Sequence, residues 1–149
     1  MKKVALSACL LGCNCRYDAE NNLNEALLKR LEAYEIVPFC PEDYCFGTPR
    51  PTMDLIENRE NISAISNETN ENLSQPIFNY AKDFFTKNAD IKLFIGKDRS
   101  PSCGVQSAKV YDIQKNLLHR EGRGLMAQVA KERGLECWDA EKYLINHTF

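Results

Sequence analysis

Three of the seven cysteines each follow a short apolar segment, and this is the pattern with the most chemical content in the sequence. Cys9 follows KVALSA, Cys40 follows EIVPF, and Cys103 lies in SPSCG, a few residues after IKLFI. Thiolates are ligands for zinc and for iron–sulfur clusters, and an activated thiolate is also a nucleophile. The three cysteines therefore predict a metal site or a catalytic thiol.

Three cysteines alone do not distinguish a zinc site, an iron–sulfur cluster and a catalytic thiol. A structural zinc site takes four protein ligands and most iron–sulfur clusters take four cysteines, whereas a cluster with three cysteines leaves one iron open for chemistry. A catalytic thiol needs an activating neighbour. The two histidines, His119 and His147, come late in the chain, which makes a Cys–His pair the less attractive interpretation.

Polar residues accompany two of these cysteines. Glu42 follows Cys40 by two residues and is a candidate general base, although a solvent-facing loop residue is the alternative. Ser100 and Ser102 place hydroxyl groups on either side of Pro101, whose ring restricts the backbone. The segments around Cys40 and Cys103 thus contain the groups that an active site needs for proton transfer.

The other four cysteines have weaker patterns. Cys13 and Cys15 form a CxxxCxC run with Cys9, so one of them is a candidate for an alternative ligand or for a residue that supports a ligand. Cys45 lies in a long segment without periodicity and is interpreted as incidental. Cys137 is interpreted as a core residue, because free cysteine behaves as a small apolar side chain.

The elements that position these residues follow from hydrophobic periodicity. Short buried strands are predicted at 4–8, 35–39, 90–96 and 135–139, and helices at 24–34, 75–89 and 124–134. Asn24 is a predicted N-cap, and Gly134 is predicted to end the last helix. Residues 108–122 are predicted to form a hairpin, and residues 41–75 a long loop.

This order of strands and helices predicts an α/β fold. We expect a single domain over residues 1–149, a three-layer sandwich with a small, mainly parallel sheet of about four strands and helices on both faces. Ligands of such sheets bind beyond the carboxyl ends of the strands. Cys9, Cys40 and Cys103 each follow a strand, so parallel topology predicts that all three meet at one edge.

Composition narrows the class of protein. The chain has 149 residues, a net charge of −2 and scattered basic residues, which do not form the basic footprint of a nucleic-acid-binding protein. The N-terminal MKKVALSACLLGC is interpreted as a strand rather than a signal peptide, because its apolar run is short and broken by Ser7. We therefore expect a cytoplasmic protein with reduced cysteines, no disulfides and no membrane partner.

Taken in order, SACLLGCNCRYD, CPE with GTPRP, and SPSCG resemble the thiouracil desulfidase family, whose defining unit is the TudS domain. The resemblance extends from Val4 to about Asp139. It implies a [4Fe–4S] cluster held by Cys9, Cys40 and Cys103, with one iron free to bind the sulfur of a thiolated pyrimidine. It also implies that Glu42 and Ser100 form the acid/base pair, and it matches Cys15 to a family cysteine without a bond to iron.

The chain departs from the family pattern at three places. Ala19 stands where the family has the glycine of CRYDG, Cys45 has no counterpart, and SNETNENLS replaces a glycine-containing segment before the long helix. That segment is a candidate for the substrate entrance.

The resemblance implies an enzyme, a cluster-dependent desulfidase that hydrolyses the C=S group of a free thiouracil or thionucleoside and releases sulfide. A tRNA partner is not expected, because the sequence contains no RNA-associated domain of the kind that some relatives carry. The alternative is an iron–sulfur or zinc binding module with a structural, redox-sensing or sulfur-carrier role.

Overall fold

The predicted parallel sheet is present in the computed structural model, which describes residues 2–147. Its strands are β1 (Lys2–Ser7), β2 (Tyr34–Phe39), β5 (Leu93–Gly96) and β8 (Glu136–Asp139), in the order β2-β1-β5-β8. All pairings in this sheet are parallel. Strand β2 lies at the edge of the sheet. Pro38 has no backbone N–H group, and at an edge strand this removes no hydrogen bond from the sheet interior.

A second sheet corrects the predicted fold. It contains β3 (Met53–Asn58), β4 (Asn61–Ser66), β6 (Ala108–Tyr111) and β7 (Leu117–Gly122), in the order β4-β3-β6-β7. Only the β3–β6 pairing is parallel. The β6–β7 hairpin was predicted, but the α/β architecture has two four-stranded sheets, one parallel and one mixed, rather than a single small sheet.

The predicted loop at 41–75 was the source of that error. It contains helix α2 (Pro41–Phe46) and the β3–β4 hairpin. The hairpin turn is Arg59–Glu60, with Arg59 at a φ of 60°, so it lacks the Asn-Gly or Asp-Gly pair that marks such turns in a sequence. The buried face of β4 is small and polar, with Ala64 and Ser66, which hides the usual apolar alternation.

The helices are α1 (Glu25–Arg30), α3 (Ser74–Lys87), α4 (Leu125–Glu132) and α5 (Ala140–Asn146), in addition to α2. Helices α1 and α5 cover one face of the parallel sheet, where Leu27 and Tyr143 pack against Val4. Helices α3 and α4 cover the other face. The prediction of helices on both faces of the parallel sheet is therefore confirmed.

The mixed sheet forms a further layer behind α3 and α4. Helix α3 directs Ala81 and Phe85 toward the parallel sheet and Ile77 toward Leu55 of the mixed sheet. The layer order is thus helix, parallel sheet, helix, mixed sheet. Asn24 caps α1 by accepting a hydrogen bond from the Leu27 amide at 3.1 Å, and Gly134, at a φ of 80°, follows α4, as predicted. Within residues 2–147, no helix has the length and apolar character that crossing a membrane requires.

Two glycines make room for the SPSCG segment, because neither has a side chain where the backbone of that segment lies. A Cβ atom on Gly96, at the end of β5, would stand 1.7 Å from the carbonyl oxygen of Cys103. A Cβ atom on Gly124, just before α4, would stand 2.5 Å from the carbonyl carbon of Ser102. Both obstacles are backbone atoms, so a side chain at either position displaces the segment that contains Cys103.

We expect Gly96→Ala to lower the free energy of unfolding by about 3 kcal/mol or more, because overpacking usually costs about 1–3 kcal/mol and this obstacle is backbone. Gly134→Asn is the control, since nothing lies within 4 Å of a Cβ there. Asn tolerates the left-handed conformation, so its cost should stay below about 1 kcal/mol. Chemical denaturation measures both, and equal costs would contradict the close approach at Gly96.

Candidate functional site

The three cysteines that follow strands line one cavity of about 390 Å³ at the carboxyl edge of the parallel sheet. Glu42 and Ser100 line the same cavity. The structure thus brings together all five residues that the sequence singled out for cofactor binding and proton transfer. Their positions follow from the parallel topology, because the carboxyl ends of β1, β2 and β5 lie side by side.

Cys9 lies in a short 3₁₀ helix, Ala8–Leu11, that begins directly after β1. Gly12 ends this helix at a φ of 92°, and the Asn22 amide donates to the Cys9 carbonyl oxygen at 2.9 Å. Asn22 is in turn held by Arg16, whose Nη1 donates to its side-chain oxygen at 3.0 Å. The segment after Cys9 therefore folds back and closes one side of the cavity.

Cys40 links the end of β2 to the start of α2. It is the N-cap residue of α2, with Pro41 in the first helical position, where a proline is well tolerated. Its backbone amide donates to the Tyr80 hydroxyl at 3.2 Å, and its Sγ donates to the Cys15 carbonyl oxygen at 3.7 Å. The start of α2 then brings Glu42, two residues after Cys40, to the same cavity.

The SPSCG segment is held by the N-terminus of α4. The Leu125 amide donates to the Pro101 carbonyl at 3.1 Å and the Met126 amide donates to the Ser102 carbonyl at 2.8 Å. Buried Asp139, at the end of β8, accepts hydrogen bonds from the amides of the two residues after Gly104 at 2.7 and 2.8 Å. Cys103 is therefore fixed by elements from the far end of the chain.

The two serines of this segment have different partners. Ser100 Oγ accepts hydrogen bonds from the amides of Ser102 and Cys103 at 3.3 and 3.0 Å, so it shapes the loop. Ser102 is 1% exposed, and its hydroxyl donates to Oε2 of Glu42 at 2.6 Å. The hydroxyls of Ser100 and Ser102 are 3.3 Å apart. Ser102 thus lies between the two residues that the sequence predicted to act together.

Two residues beside Glu42 had no role in the predicted site: Arg50, which no sequence pattern singled out, and Ser102, for which the sequence indicated only a hydroxyl group. Ser102 also lies 3.4 Å from Cys103 Sγ, and Arg50 Nε lies 3.7 Å from Oε1 of Glu42. Both belong to stretches that the family resemblance covers, SPSCG and GTPRP, so their presence near the site was foreseeable. The particular atoms that Ser102 and Arg50 contact depend on packing between distant parts of the chain, so the sequence does not predict them.

Burial dominates the electrostatics of the thiols. It raises the pKa of Cys9, Cys15, Cys40 and Cys103 above the ordinary value for cysteine. In the metal-free protein burial therefore favours the neutral thiol over the thiolate at each of these residues. A metal centre would replace their protons, and its binding would be favoured by rising pH. Burial also lowers the pKa of Lys97, whose side chain lines the cavity.

The donor set fits an iron–sulfur cubane. Within residues 2–147, no three His, Cys, Asp or Glu side chains are grouped as ligands of a single metal ion would be. A cubane needs a wider spacing, because each of its cysteines binds a different iron. Cys9, Cys40 and Cys103 reach one cavity from three separate segments, and cysteine thiols are the ligands that such a cluster takes.

The remaining cysteines divide by burial. Cys15 is 7% exposed and lines the cavity, whereas Cys13 is exposed. Cys45 lies in α2, and its thiol donates to the Pro76 carbonyl at 3.5 Å. Cys137 lies in β8, half-buried, and packs against the core between the parallel sheet and helices α3 and α4. Its interpretation as a core residue agrees with this packing.

We expect the Cys137 thiol to react slowly in the folded protein, because burial raises its pKa to about 11. Only the thiolate is alkylated, so labelling by iodoacetamide should accelerate about tenfold per pH unit from about pH 8 toward pH 11. Exposed Cys13 is the control and should be labelled first at about pH 8. Equal labelling of both residues at that pH, measured by mass spectrometry of peptides, would contradict the burial of Cys137.

The fold and the cavity define an α/β protein with a buried, cysteine-lined site, and comparison with known proteins identifies the family. The family model described as 2-thiouracil desulfurase matches residues 4–142. The chain belongs to this family, which confirms the resemblance seen in the sequence.

Two relatives illustrate the similarity. An uncharacterised protein of Bacillus subtilis (strain 168), YbbK, is 28% identical over 139 residues, which cover 88% of this chain and 91% of the relative. The solved structure of a [4Fe–4S]-dependent thiouracil desulfidase, TudS, is similar with a TM-score of 0.73 and 23% identity. That alignment covers 95% of this chain and 93% of the other, so the two proteins share their fold.

Proposed function

We propose that this protein is a [4Fe–4S]-dependent desulfidase that hydrolyses the C=S group of a thiolated pyrimidine to the oxo form and releases sulfide. Free thiouracils and thionucleosides are the proposed substrates. The observation that carries this proposal is the 2.6 Å hydrogen bond that fixes Glu42 through Ser102 inside a cavity lined by three cysteines from separate loops. Membership of the 2-thiouracil desulfurase family supports it.

Cys9, Cys40 and Cys103 are the proposed cluster ligands. A cluster held by these three cysteines would supply an open iron, a Lewis acid for the sulfur of the C=S group. The cavity of about 390 Å³ falls within the usual range for small-molecule sites.

Glu42 is the proposed general base. Its side chain is 15% exposed, so it reaches the cavity while remaining largely shielded from bulk water. It accepts a proton from the attacking water, the oxygen of which forms the new bond to carbon. Carbon loses sulfur and gains oxygen, and the two protons of water leave with sulfide, so the hydrolysis needs no electron donor.

Ser100 is the proposed partner of Glu42 in proton transfer. Its hydroxyl lies 3.3 Å from that of Ser102, which donates to Glu42. The three side chains form a short hydrogen-bonded row that holds the carboxylate and places Ser100 as the proposed proton donor to the departing sulfur. A structural cluster, a redox sensor or a sulfur carrier has no need of such a row, and this favours the enzyme over the binding module.

The test is a substrate panel under anaerobic conditions. Protein reconstituted with iron and sulfide is incubated with 2-thiouracil, 4-thiouracil and 4-thiouridine in oxygen-18-labelled water, without reductant. We expect at least one of them to give an oxo product that carries the label, with one sulfide released per product. Failure to convert any member of the panel, or conversion only with a reductant, would overturn the proposed hydrolysis.

A further inference from the structure

The guanidinium group of Arg50 is buried at the junction of three segments of the site. Its side chain is 5% exposed. Nη2 donates to the Cys15 carbonyl oxygen at 2.8 Å, and Nη1 donates to the Gly47 carbonyl at 3.1 Å and to Thr48 Oγ1 at 2.8 Å. The Arg50 amide also donates to the Tyr17 carbonyl at 2.9 Å. Arg50 therefore ties the segment around Cys15 to the loop after α2.

The remaining nitrogen of this group faces Glu42. Nε lies 3.7 Å from Oε1 of Glu42, within ion-pair range but too far for a hydrogen bond. Nε is buried and has no hydrogen-bond partner within residues 2–147. Attraction between opposite charges is strong where water is largely excluded, so Arg50 restrains the carboxylate without occupying a lone pair of Oε1.

The two oxygens of Glu42 are consequently not equivalent. Oε2 accepts the Ser102 hydroxyl at 2.6 Å, whereas Oε1 faces the cation and makes no short contact with it. Ser102 therefore occupies a lone pair of Oε2, whereas Oε1 receives no hydrogen bond from Arg50. The oxygen on the Arg50 side is the one left available to a water molecule in the cavity.

We propose that Arg50 is a positioning residue that acts through Glu42, holding Oε1 toward the cavity as the proton-accepting oxygen. Ser102 restrains the carboxylate from one side and Arg50 from the other. This inference rests on the proposed function, because it assigns Arg50 a part in proton transfer by Glu42. It predicts that the contribution of Arg50 to turnover disappears when Glu42 is no longer a base.

A double-mutant cycle tests this dependence. Arg50→Gln alone should lower kcat about 10- to 100-fold with KM little changed, because the base is displaced while the cavity remains. In the Glu42→Gln background the same change should lower kcat by no more than about twofold, since effects of residues that act as a unit are not additive. Arg16→Gln, which removes another cavity-lining arginine, is the control and should have the same effect in both backgrounds.

Three further measurements separate positioning from folding. Arg50→Gln should keep the wild-type iron content and absorption spectrum, and Arg50→Lys, which keeps the charge, should recover part of the lost kcat. In the metal-free protein, Cys15 should be alkylated faster in Arg50→Gln than in wild type, because its carbonyl loses the 2.8 Å hydrogen bond. Glu42→Gln should not change that rate.

Additive effects in the cycle would overturn the inference, as would loss of iron in both Arg50→Gln and Arg50→Lys. Both results are distinct from failure of the proposed function. If Glu42→Gln alone leaves kcat unchanged, Glu42 is not the base, whatever Arg50 does. Suppose instead that Glu42→Gln lowers kcat and that Arg50→Gln lowers kcat by the same factor in the Glu42→Gln background as in the wild type. Glu42 is then still the base, and only the positioning role of Arg50 is wrong.

Discussion

Replacement of Cys9, Cys40 or Cys103 by alanine is expected to leave protein that retains no cubane cluster after anaerobic reconstitution and has no desulfidase activity. Each of the three comes from a different segment at the carboxyl edge of the parallel sheet. Loss of any one leaves only two cysteine ligands, whereas protein-bound clusters usually have four. Iron per chain, labile sulfide and the visible absorption spectrum measure the outcome.

Two cysteines outside the cavity provide matched controls for this result. Cys45→Ala and Cys137→Ala should retain the wild-type iron content, because neither residue lines the cavity. Cys15→Ala should have an intermediate effect of about 10–100-fold on cluster affinity or turnover, as residues that support metal ligands usually do. Full iron and activity in Cys103→Ala would show that the SPSCG cysteine is not a ligand.

The second large effect is expected from Glu42→Gln, which preserves size and removes the base. Turnover should fall about 100-fold or more, the usual contribution of a positioned general base. Iron content and the absorption spectrum should not change, since Glu42 is not among the proposed ligands. Steady-state kinetics with the best substrate of the thiouracil panel, normalised to iron, provide the measurement.

Glu32→Gln is the control for this variant, because Glu32 is an exposed glutamate in the connection between α1 and β2 and does not line the cavity. Its turnover should equal that of the wild type. Wild-type turnover in Glu42→Gln with an intact cluster would remove Glu42 as the base. Water activation would then fall to the metal or to the serine hydroxyls.

The parallel sheet and the meeting of the cysteines were predictable from sequence. Continuous apolar segments such as the one around Val4 are typical of strands buried on both faces, and Val4 is fully buried. The carboxyl ends of parallel strands lie at the same edge of the sheet, so cysteines that directly follow these strands lie at that edge. Cys9, Cys40 and Cys103 were therefore brought together by topology alone.

The mixed sheet was not predictable in the same way. Strands β3 and β4 are joined by a turn without glycine, and the buried residues of β4 are the small Ala64 and the polar Ser66. Ala64 belongs to the apolar core only because Ile77 and Leu125 of distant helices pack in the same cluster. Pairing of β3 with β6 joins residues more than fifty positions apart. Periodicity within a short window contains no information about such a pairing.

The identity of the serine that contacts Glu42 also depends on distant residues. Ser100 and Ser102 both offer a hydroxyl group in SPSCG, and only the family resemblance implied Ser100 as the partner of Glu42. The backbone of the segment is set by the amides of Leu125 and Met126, which turn Ser102 toward Glu42 and Ser100 toward the loop. The contacts of Arg50 are likewise decided by the loop after α2.

The most direct test of the proposed function is the metal content of protein purified and reconstituted without oxygen. We expect brown protein with about 4 iron and about 4 labile sulfide per chain, as a single cubane cluster requires. The cluster should be lost on exposure to air and restored by a second reconstitution. Colourless protein that binds one zinc per chain and takes up no iron under these conditions would contradict a cluster-dependent desulfidase.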